Sequence, residues 1–326
     1  MQIALKLVYN VALLFIMMVP GVLMKKCRLC DDGFGKGISN LVLYIAQPAL
    51  TFVAYLRPYD EKILINSAYV LVFSVILHAL FAVVAMSFFK KAPDSMRRML
   101  RFATVFSNVA FMGIPLIAAV LEDTYPGSTV YALIYSITFN VFLWSLGVKI
   151  CTDSADRDKD GVDDFSEYKQ KTPIGKAFVH PTTIASLIGL VFFILPIEGF
   201  VPALAEEAFV MLKNLVAPLS MVVIGLRLAD MRFDGMLKDV DMYIFIALRH
   251  IILPLAALGL VKLVGLVINI DPAVEMVIVI LAAAPAATSA TMFAEKYDCD
   301  AIYVSRLVTL STILSIVTIP LILLLV

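Results

Sequence analysis

Four prolines within apolar stretches constrain the fold of this chain more than any other feature. Pro48 and Pro115 are each followed 170 residues later by another proline, Pro218 and Pro285. Proline removes a backbone donor and blocks the carbonyl one turn earlier, so we expect each of the four to interrupt a helix. In a bilayer, an interrupted helix survives only where it packs on protein or lines a wet cavity. Paired interruptions at membrane depth therefore predict a transporter with its substrate site at the breaks.

Composition places the chain in a lipid bilayer. Hydrophobic residues make up 61% of the 326 residues and charged residues 16%, and the mean hydropathy is +0.95. These values lie far outside the range of soluble globular proteins. The 26 basic and 26 acidic residues balance, so the bulk charge does not indicate a nucleic-acid partner. We predict an all-α integral membrane protein.

Ten apolar runs have about the length of twenty residues that is needed to cross a bilayer. The predicted spans 1 to 10 cover residues 3–24, 38–56, 64–89, 99–121, 129–151, 180–197, 207–229, 240–268, 273–294 and 301–325. They divide the chain into a first five-helix unit at 1–151, a linker at 152–179 and a second unit at 180–326. An odd number of spans per unit inserts the second unit upside down. We therefore predict two inverted repeats with broken, crossing spans 4 and 9.

Two further residue pairs repeat in the same order. His78 is followed by His250, and Tyr131 by Tyr303, both at a separation of 172 residues. Orientation follows from lysine and arginine, which concentrate in the cytoplasmic loops of membrane proteins. With the N-terminus outside, 20 of the 26 basic residues face the cytoplasm. We predict a protein of the plasma membrane, with both termini outside and the central linker in the cytoplasm.

Several segments resemble the auxin efflux carrier family, which includes plant PIN transporters and many prokaryotic relatives. Asn40–Phe52 is similar to the family's span 2, and Ser107–Leu116 is similar to its span 4 signature. In the second half, Arg249 with Pro254 and Ala284-Pro285 followed by Phe293–Tyr297 resemble spans 8 and 9. The chain departs from the family at Gln47, where an apolar residue is usual. For that reason the resemblance does not carry auxin over as the substrate.

The resemblance implies an architecture as well as an activity. It implies a homodimer in which spans 1, 2, 6 and 7 form a scaffold. Spans 3–5 and 8–10 would form a moving transport unit, and spans 4 and 9 would cross at their breaks. Independently of the family, a broken helix exposes backbone amides whose N-terminal end carries about half a positive charge. Such a crossing favours an anionic ligand.

Neutral hydrogen-bonding side chains and breaking prolines supply the candidate substrate site. The candidates are Gln47, Thr51, Ser107, Asn108, Pro115, Asn140, Pro285 and Arg249. Asn108 leads, because the family uses this position for substrate, although its amide could instead satisfy carbonyls freed by Pro115. Gln47 and Asn140 could equally join helices, as polar residues often do in membranes.

Arg249 and His250 lie several residues inside span 8, where a cation costs at least about 2.5–3.5 kcal/mol unless it is paired. Arg249 either clamps carbonyls released at a broken helix or attracts an anionic substrate by its charge. We read His78 and His250 as packed, hydrogen-bonded histidines rather than proton carriers. No Asp or Glu lies in the middle of a predicted span, so the carboxylate relays common in proton-coupled carriers are missing.

We therefore predict a secondary transporter that exports a small organic anion, a carboxylate, by alternating access driven mainly by the membrane potential. The alternative within transporters is a sodium- or proton-coupled organic anion symporter. The alternative of another class is a membrane-embedded calcium sensor. No enzyme motif appears in the sequence, and no cofactor is required. The four cysteines, which include the pair Cys27 and Cys30, do not form a zinc set, because a shared metal would lock scaffold to transport unit.

The central linker matches the twelve-residue calcium loop D-x-D-x-D-G-x5-E. Calcium prefers six to eight oxygen ligands, and the loop offers carboxylates, one backbone carbonyl and a bidentate glutamate in the order of an EF-hand. The candidate ligands are Asp156, Asp158, Asp160, Val162, Asp164 and Glu167. Asp163 stands where EF-hands carry an apolar residue, and no second loop is present. An acidic, solvated linker is the alternative.

Overall fold

The computed structural model describes residues 9, 11–31, 33–152, 175, 179, 181–195, 201–229 and 239–326. Within these ranges every regular secondary-structure element is a helix, as the sequence predicted. The only β contact among these residues is one isolated antiparallel bridge. After helical residues 11–16, twelve helices follow: α1 Val19–Lys26, α2 Phe34–Tyr55, α3 Glu61–Ser87, α4 Asp94–Val105, α5 Val109–Val120, α6 Ser128–Thr152, α7 Pro181–Ile194, α8 Ala203–Ala229, α9 Val240–Gly265, α10 Pro272–Ala283, α11 Ser289–Lys296 and α12 Ala301–Leu323.

Six of these helices are long and apolar enough to cross a membrane, namely α2, α3, α6, α8, α9 and α12. They match predicted spans 2, 3, 5, 7, 8 and 10. The shorter apolar helices α5, α7 and α10 lie within predicted spans 4, 6 and 9. Span 4 consists of two helices, α4 and α5, and span 9 consists of α10 and α11. The protein is thus a multi-pass membrane protein.

Aspartate caps begin four of the helices. Asp60, Asp239, Asp271 and Asp300 each accept a hydrogen bond from a backbone N–H in the first turn of α3, α9, α10 and α12. A side-chain acceptor here satisfies one of the four amides that a helix start leaves without an intrahelical partner. All four caps lie at the ends of apolar runs, which fixes where these spans begin.

The prolines do not interrupt the helices in the way that the sequence suggested. Pro48 was expected to break span 2, but α2 is continuous through it. A π-helical turn at Val42–Ala46 ends two residues before Pro48. Two further π-helical turns, at Val109–Gly113 and Leu248–Ile252, end two residues before Pro115 and Pro254 respectively. A π turn widens the helix by one residue, which accommodates the missing donor and the ring without breaking the helix.

The expected equivalence of Pro115 and Pro285 is also wrong. Span 4 breaks at residues 106–108, between α4 and α5, and Pro115 lies seven residues further on, inside α5. Span 9 breaks at residues 284–288, around Pro285 itself. The first break therefore does not depend on proline, because residues 106–108 form hydrogen bonds with the other broken span instead.

The helices pack in two groups. In the first group, α2 packs on α7 and α8, and α8 packs on α1. Gly21 and Gly225 let α1 and α8 meet backbone to backbone, since a Cβ at Gly225 would lie 2.0 Å from the Met18 carbonyl oxygen. Small residues allow this close approach between membrane helices. The second group contains α3–α6 and α9–α12.

The repeated histidines and tyrosines occupy corresponding places in the second group. His78 on α3 stacks on Phe142 of α6, while His250 on α9 contacts Ser311 and Thr318 of α12. The Tyr131 hydroxyl at the start of α6 accepts from the Asn66 amide of α3, whereas the Tyr303 hydroxyl at the start of α12 donates to Asp239, which caps α9. Each pair thus joins the third and fifth predicted spans of its own half.

Candidate functional site

The breaks of spans 4 and 9 lie against each other in the interior of the second helix group. Ser107 and Ala286 form an antiparallel bridge. The Asn108 amide donates to the Pro285 carbonyl at 2.7 Å, and the Ala287 amide donates to the Phe106 carbonyl at 2.9 Å. These reciprocal bonds satisfy backbone groups that could not otherwise be buried away from water. We call residues 106–108 and 284–288 the crossing.

Two helices begin and two end at the crossing. α5 and α11 start there, and α4 and α10 end there. A helix start carries about half a positive charge and a helix end about half a negative charge. The crossing therefore combines two positive N-terminal ends with two negative C-terminal ends. Its N-terminal ends supply a positive field that favours an anion, whereas the Asn108, Ala286 and Ala287 amides are already bonded within the protein.

Arg249 occupies the side of the helix C-termini and is fully buried. Its guanidinium donates to the Thr104 carbonyl at the end of α4 at 3.1 Å. It also donates to the Ala282 and Ala284 carbonyls at the end of α10, at 3.1 Å and 2.6 Å. The two half-charges of these helix ends offset the guanidinium charge. Arg249 thus binds carbonyls released at the two helix ends, which is the first of the two roles considered for it. Attraction of a substrate by its charge remains a prediction.

Asn108 carries the side chain best suited to bind a ligand. The residue is 2% exposed, and its Nδ2 amide has no hydrogen-bond partner among the described residues. A buried donor without a partner costs about 1–3 kcal/mol. The Asn108 backbone, by contrast, is bonded, since its carbonyl accepts from the Met112 and Gly113 amides. The side-chain amide is thus a buried donor at the start of α5 without a partner among the described residues.

Gln47 approaches the crossing from α2, in the first helix group. The Gln47 side-chain amide donates to the Ala110 carbonyl in the first turn of α5. Thr51 lies one turn further along α2, on the same face, and its buried hydroxyl has no partner in the part of the chain that the structure describes. The structure thus brings Gln47 to Ala110, two residues after Asn108, across the boundary between the two groups.

The other sequence candidates are less directly placed. Pro285 forms part of the crossing through its carbonyl, whereas Pro115 lies within α5. Asn140 is half-buried on α6, and the hydrogen bonds that build the crossing do not include it. Sequence reasoning passed over Thr138 on α6, whose buried hydroxyl also has no partner among the described residues. No spacing or motif in the sequence distinguishes Thr138 from other threonines in membrane helices.

His250 is connected to the crossing by hydrogen bonds through Ser311 of α12. Its Nε2 lies 2.9 Å from the Ser311 hydroxyl, which accepts from the Ala286 amide at 2.9 Å. Its Nδ1 lies 3.1 Å from the Thr318 hydroxyl. Both ring nitrogens are therefore occupied by α12, and the histidine acts as a packed, hydrogen-bonded residue.

An apolar cavity of about 450 Å³ lies apart from the crossing, in the first helix group. Its lining includes Ile45 and Phe52 of α2, Ile188 of α7 and Phe209 of α8. Such a lining offers little to a charged ligand, so the crossing remains the candidate site. The described ranges contain no group of three or more His, Cys, Asp or Glu side chains arranged to hold a metal. The predicted calcium loop at 156–167 lies outside the described residues.

A family model described as "Membrane transport protein" matches residues 7–323, nearly the whole chain. This is the family of the auxin efflux carriers. The chain belongs to this family. The comparison with curated proteins gives no match. Membership of the auxin efflux carrier family makes the chain a membrane transporter, which agrees with its apolar helices and with a polar crossing enclosed by them.

Proposed function

We propose that this chain is a secondary transporter that exports a small organic anion of the carboxylate class. The observation that supports this most is the crossing, where α5 and α11 begin beside the buried amide of Asn108, which has no partner among the described residues. Two helix N-termini and a neutral donor fit a carboxylate, because they offer hydrogen bonds and a positive field without a fixed ion pair. We assign Asn108 to the carboxylate, with Ser107, Gln47 and Thr51 around it.

Alternating access by two inverted five-helix repeats is the second part of the proposal. It rests on the reciprocal backbone bonds of the crossing and on the matching histidine and tyrosine contacts of the two halves. We assign α1, α2, α7 and α8 to a scaffold, and α3–α6 and α9–α12 to the moving unit. Gln47 and Arg227 then reach across the boundary from the scaffold, to carbonyls of Ala110 and Thr288. A homodimer joined through its scaffolds completes the proposed assembly.

The membrane potential is the proposed driving force. Moving one charge through 100 mV is worth about 2.3 kcal/mol, which corresponds to a roughly 50-fold outward gradient of a monoanion. The buried polar residues of the crossing are neutral apart from Arg249, which is engaged by carbonyls. Export therefore needs no coupling ion. This direction requires the proposed plasma-membrane topology, with both termini outside and the linker in the cytoplasm.

Uptake of radiolabelled carboxylates into inside-out vesicles, with and without a sodium gradient, separates potential-driven export from coupled symport and from calcium sensing. The proposal predicts uptake of at least one carboxylate at equal rates in both conditions. Uptake that requires sodium would identify a symporter instead. A correctly folded protein that moves no organic anion, yet binds calcium, would identify the sensor.

A further inference from the structure

Two cysteines from different halves of the chain meet at one end of the second helix group. Cys151 lies in the last turn of α6, and Cys299 lies between α11 and α12. The Cys299 thiol donates to the Cys151 carbonyl oxygen at 3.8 Å and to the Tyr297 carbonyl oxygen at 3.5 Å, so the two cysteines lie side by side. Both are free thiols. The sequence predicts that this end faces the cytoplasm, where thiols rest in the reduced form.

The backbone holds Cys299 firmly in this place. At the end of α11, the Cys299 amide donates to the Ala294 carbonyl at 2.8 Å, and Asp298 adopts a left-handed conformation with φ of 49°. This pattern is a Schellman motif, which fixes the direction of the chain after a helix. One residue later, Asp300 caps α12. Cys299 is thus set between two capped helices and directed toward α6.

Exposure gives the two thiols different roles. Cys151 is fully buried, whereas Cys299 is partly exposed. Arg98 donates to the Cys151 carbonyl at 2.6 Å, and the same guanidinium pairs with Asp94 at 3.0 Å. The contact with Cys151, together with the Arg98 charge, lowers the pKa of the Cys299 thiol. A thiol that is accessible, ionises readily and lies next to a second thiol is the arrangement of a redox-sensitive cysteine pair.

We propose that Cys299 and Cys151 form a reversible redox site, in which a peroxide oxidises Cys299 and Cys151 resolves the product as a disulfide. In the first step, the Cys299 thiolate attacks one peroxide oxygen, the O–O bond breaks, and hydroxide leaves a sulfenic acid on Cys299. In the second step, the Cys151 sulfur attacks the Cys299 sulfur and water is released. One peroxide is reduced and two thiols are oxidised. A small thiol such as glutathione reverses the process by exchange.

The disulfide would join the two repeats. Cys299 follows α11, the half-helix that begins at the crossing, and Cys151 ends α6. A crosslink between them would close a long loop of the chain, which restricts the unfolded state. We therefore expect oxidation to raise the thermal unfolding temperature, and reduction to return it to its original value. This inference does not depend on the identity of the transported substrate.

The test uses a Cys27→Ser/Cys30→Ser variant, which leaves Cys151 and Cys299 as the two thiols of the chain. The purified protein is treated with hydrogen peroxide and its thiols are counted with a maleimide after denaturation. We expect both thiols to disappear together, with a mass loss of about 2 Da, and both to return with dithiothreitol. Two thiols that stay reactive, or an irreversible gain of oxygen atoms, would overturn the proposal.

Single substitutions in the same background separate the two roles. In Cys151→Ser, we expect Cys299 to stop at the sulfenic acid, which dimedone captures. In Cys299→Ser, we expect the buried Cys151 to keep its thiol at the same peroxide concentration. Equal reactivity of Cys151 in the presence and absence of Cys299 would contradict the assignment of Cys299 as the attacking thiol.

Discussion

The backbone amide of Asn108 donates to the carbonyl of Pro285 at 2.7 Å. This bond joins the two halves of the chain at the point where both of their broken spans change direction. Because the Asn108 backbone is held in this way, its side-chain amide stays at the start of α5 with little freedom. In the proposed site, the donor is therefore placed before any substrate binds, and such preorganisation lowers the entropy that is lost on binding.

Replacement of Asn108 should therefore abolish transport while leaving the fold intact. A hydrogen bond to a charged group contributes about 1.5–3 kcal/mol, so Asn108→Ala should lower flux at limiting substrate at least tenfold. The unfolding temperature should not fall, since the amide has no partner among the described residues. The matched control is Asn214→Ala, on the exposed surface of α8. Flux at the wild-type level in Asn108→Ala would remove this residue from the site.

Substitution of Arg249 should chiefly affect stability. Arg249→Met leaves three buried carbonyls without their donor, and we expect a loss of unfolding free energy of about 1–3 kcal/mol for each carbonyl left unsatisfied. Arg249→Lys keeps the charge but cannot span both helix ends with a planar fork. Arg249→Lys should therefore lose less unfolding free energy than Arg249→Met, but still a measurable amount.

Thermal unfolding of the two variants, beside the exposed control Lys36→Met, measures this effect. If Arg249→Met were as stable as the wild type and had lost only transport, Arg249 would act on the substrate and not as a clamp.

Glu122 should make stability depend on pH. The carboxylate follows α5, accepts from the amides of Gly127 and Thr129, and pairs with Arg57 at 2.6 Å. Burial alone would raise the pKa of the Glu122 carboxyl, but the hydrogen bonds from Thr129, Gly127 and Arg57 outweigh burial and lower the pKa from its ordinary value. A depressed carboxyl pKa adds stability above the unfolded pKa of about 4.3, and this stability disappears as pH falls through the folded value.

We therefore expect Glu122→Gln to cost about 1 kcal/mol at pH 7, with a difference from wild type that shrinks below about pH 4. Unfolding temperatures between pH 7 and pH 3.5 measure this, with Glu207→Gln at an exposed position as the control. A difference that stays constant across that range would show that the charge of Glu122 does not contribute.

Much of the fold could be predicted because hydropathy reports helix position directly. The six long helices fall where apolar runs of sufficient length predicted them. The breaks could not be placed in this way. Pro48 is accommodated by a local π turn, and the break at Phe106–Asn108 is stabilised by partners about 180 residues away. Both outcomes depend on backbone geometry and tertiary contacts, which residue spacing does not encode.

The assignment of substrate-binding residues stays a prediction, but the structure shows where those residues lie. Asn108, Ser107 and Pro285 lie at the crossing, and Gln47 binds Ala110 beside it, because polar residues in apolar segments need partners. The sequence did not identify Thr138 or the hydrogen bonds that connect His250 through Ser311 to Ala286. Their role depends on which helices pack together, and a threonine or serine in a membrane helix usually bonds only to its own backbone.

Calcium binding to the central linker remains a prediction from the sequence. Isothermal titration of purified protein should show about one site per chain. The site should vanish in the Asp156→Ala/Glu167→Gln variant, because these changes remove the first and the bidentate ligand of the loop. Heat that persists in this variant, or no heat in the wild type, would leave the linker as a solvated acidic segment.

The central claim is potential-driven export of a carboxylate through the crossing, and flux in reconstituted liposomes under a clamped potassium diffusion potential tests it most directly. A radiolabelled carboxylate found by ligand-induced thermal shift is loaded inside, and its efflux is followed at several potentials, without sodium and without a pH gradient. We predict that efflux from proteins oriented with the linker inside rises as the lumen becomes more negative, and that Asn108→Ala abolishes it. Efflux that ignores the potential, or that requires sodium or protons, would contradict the account.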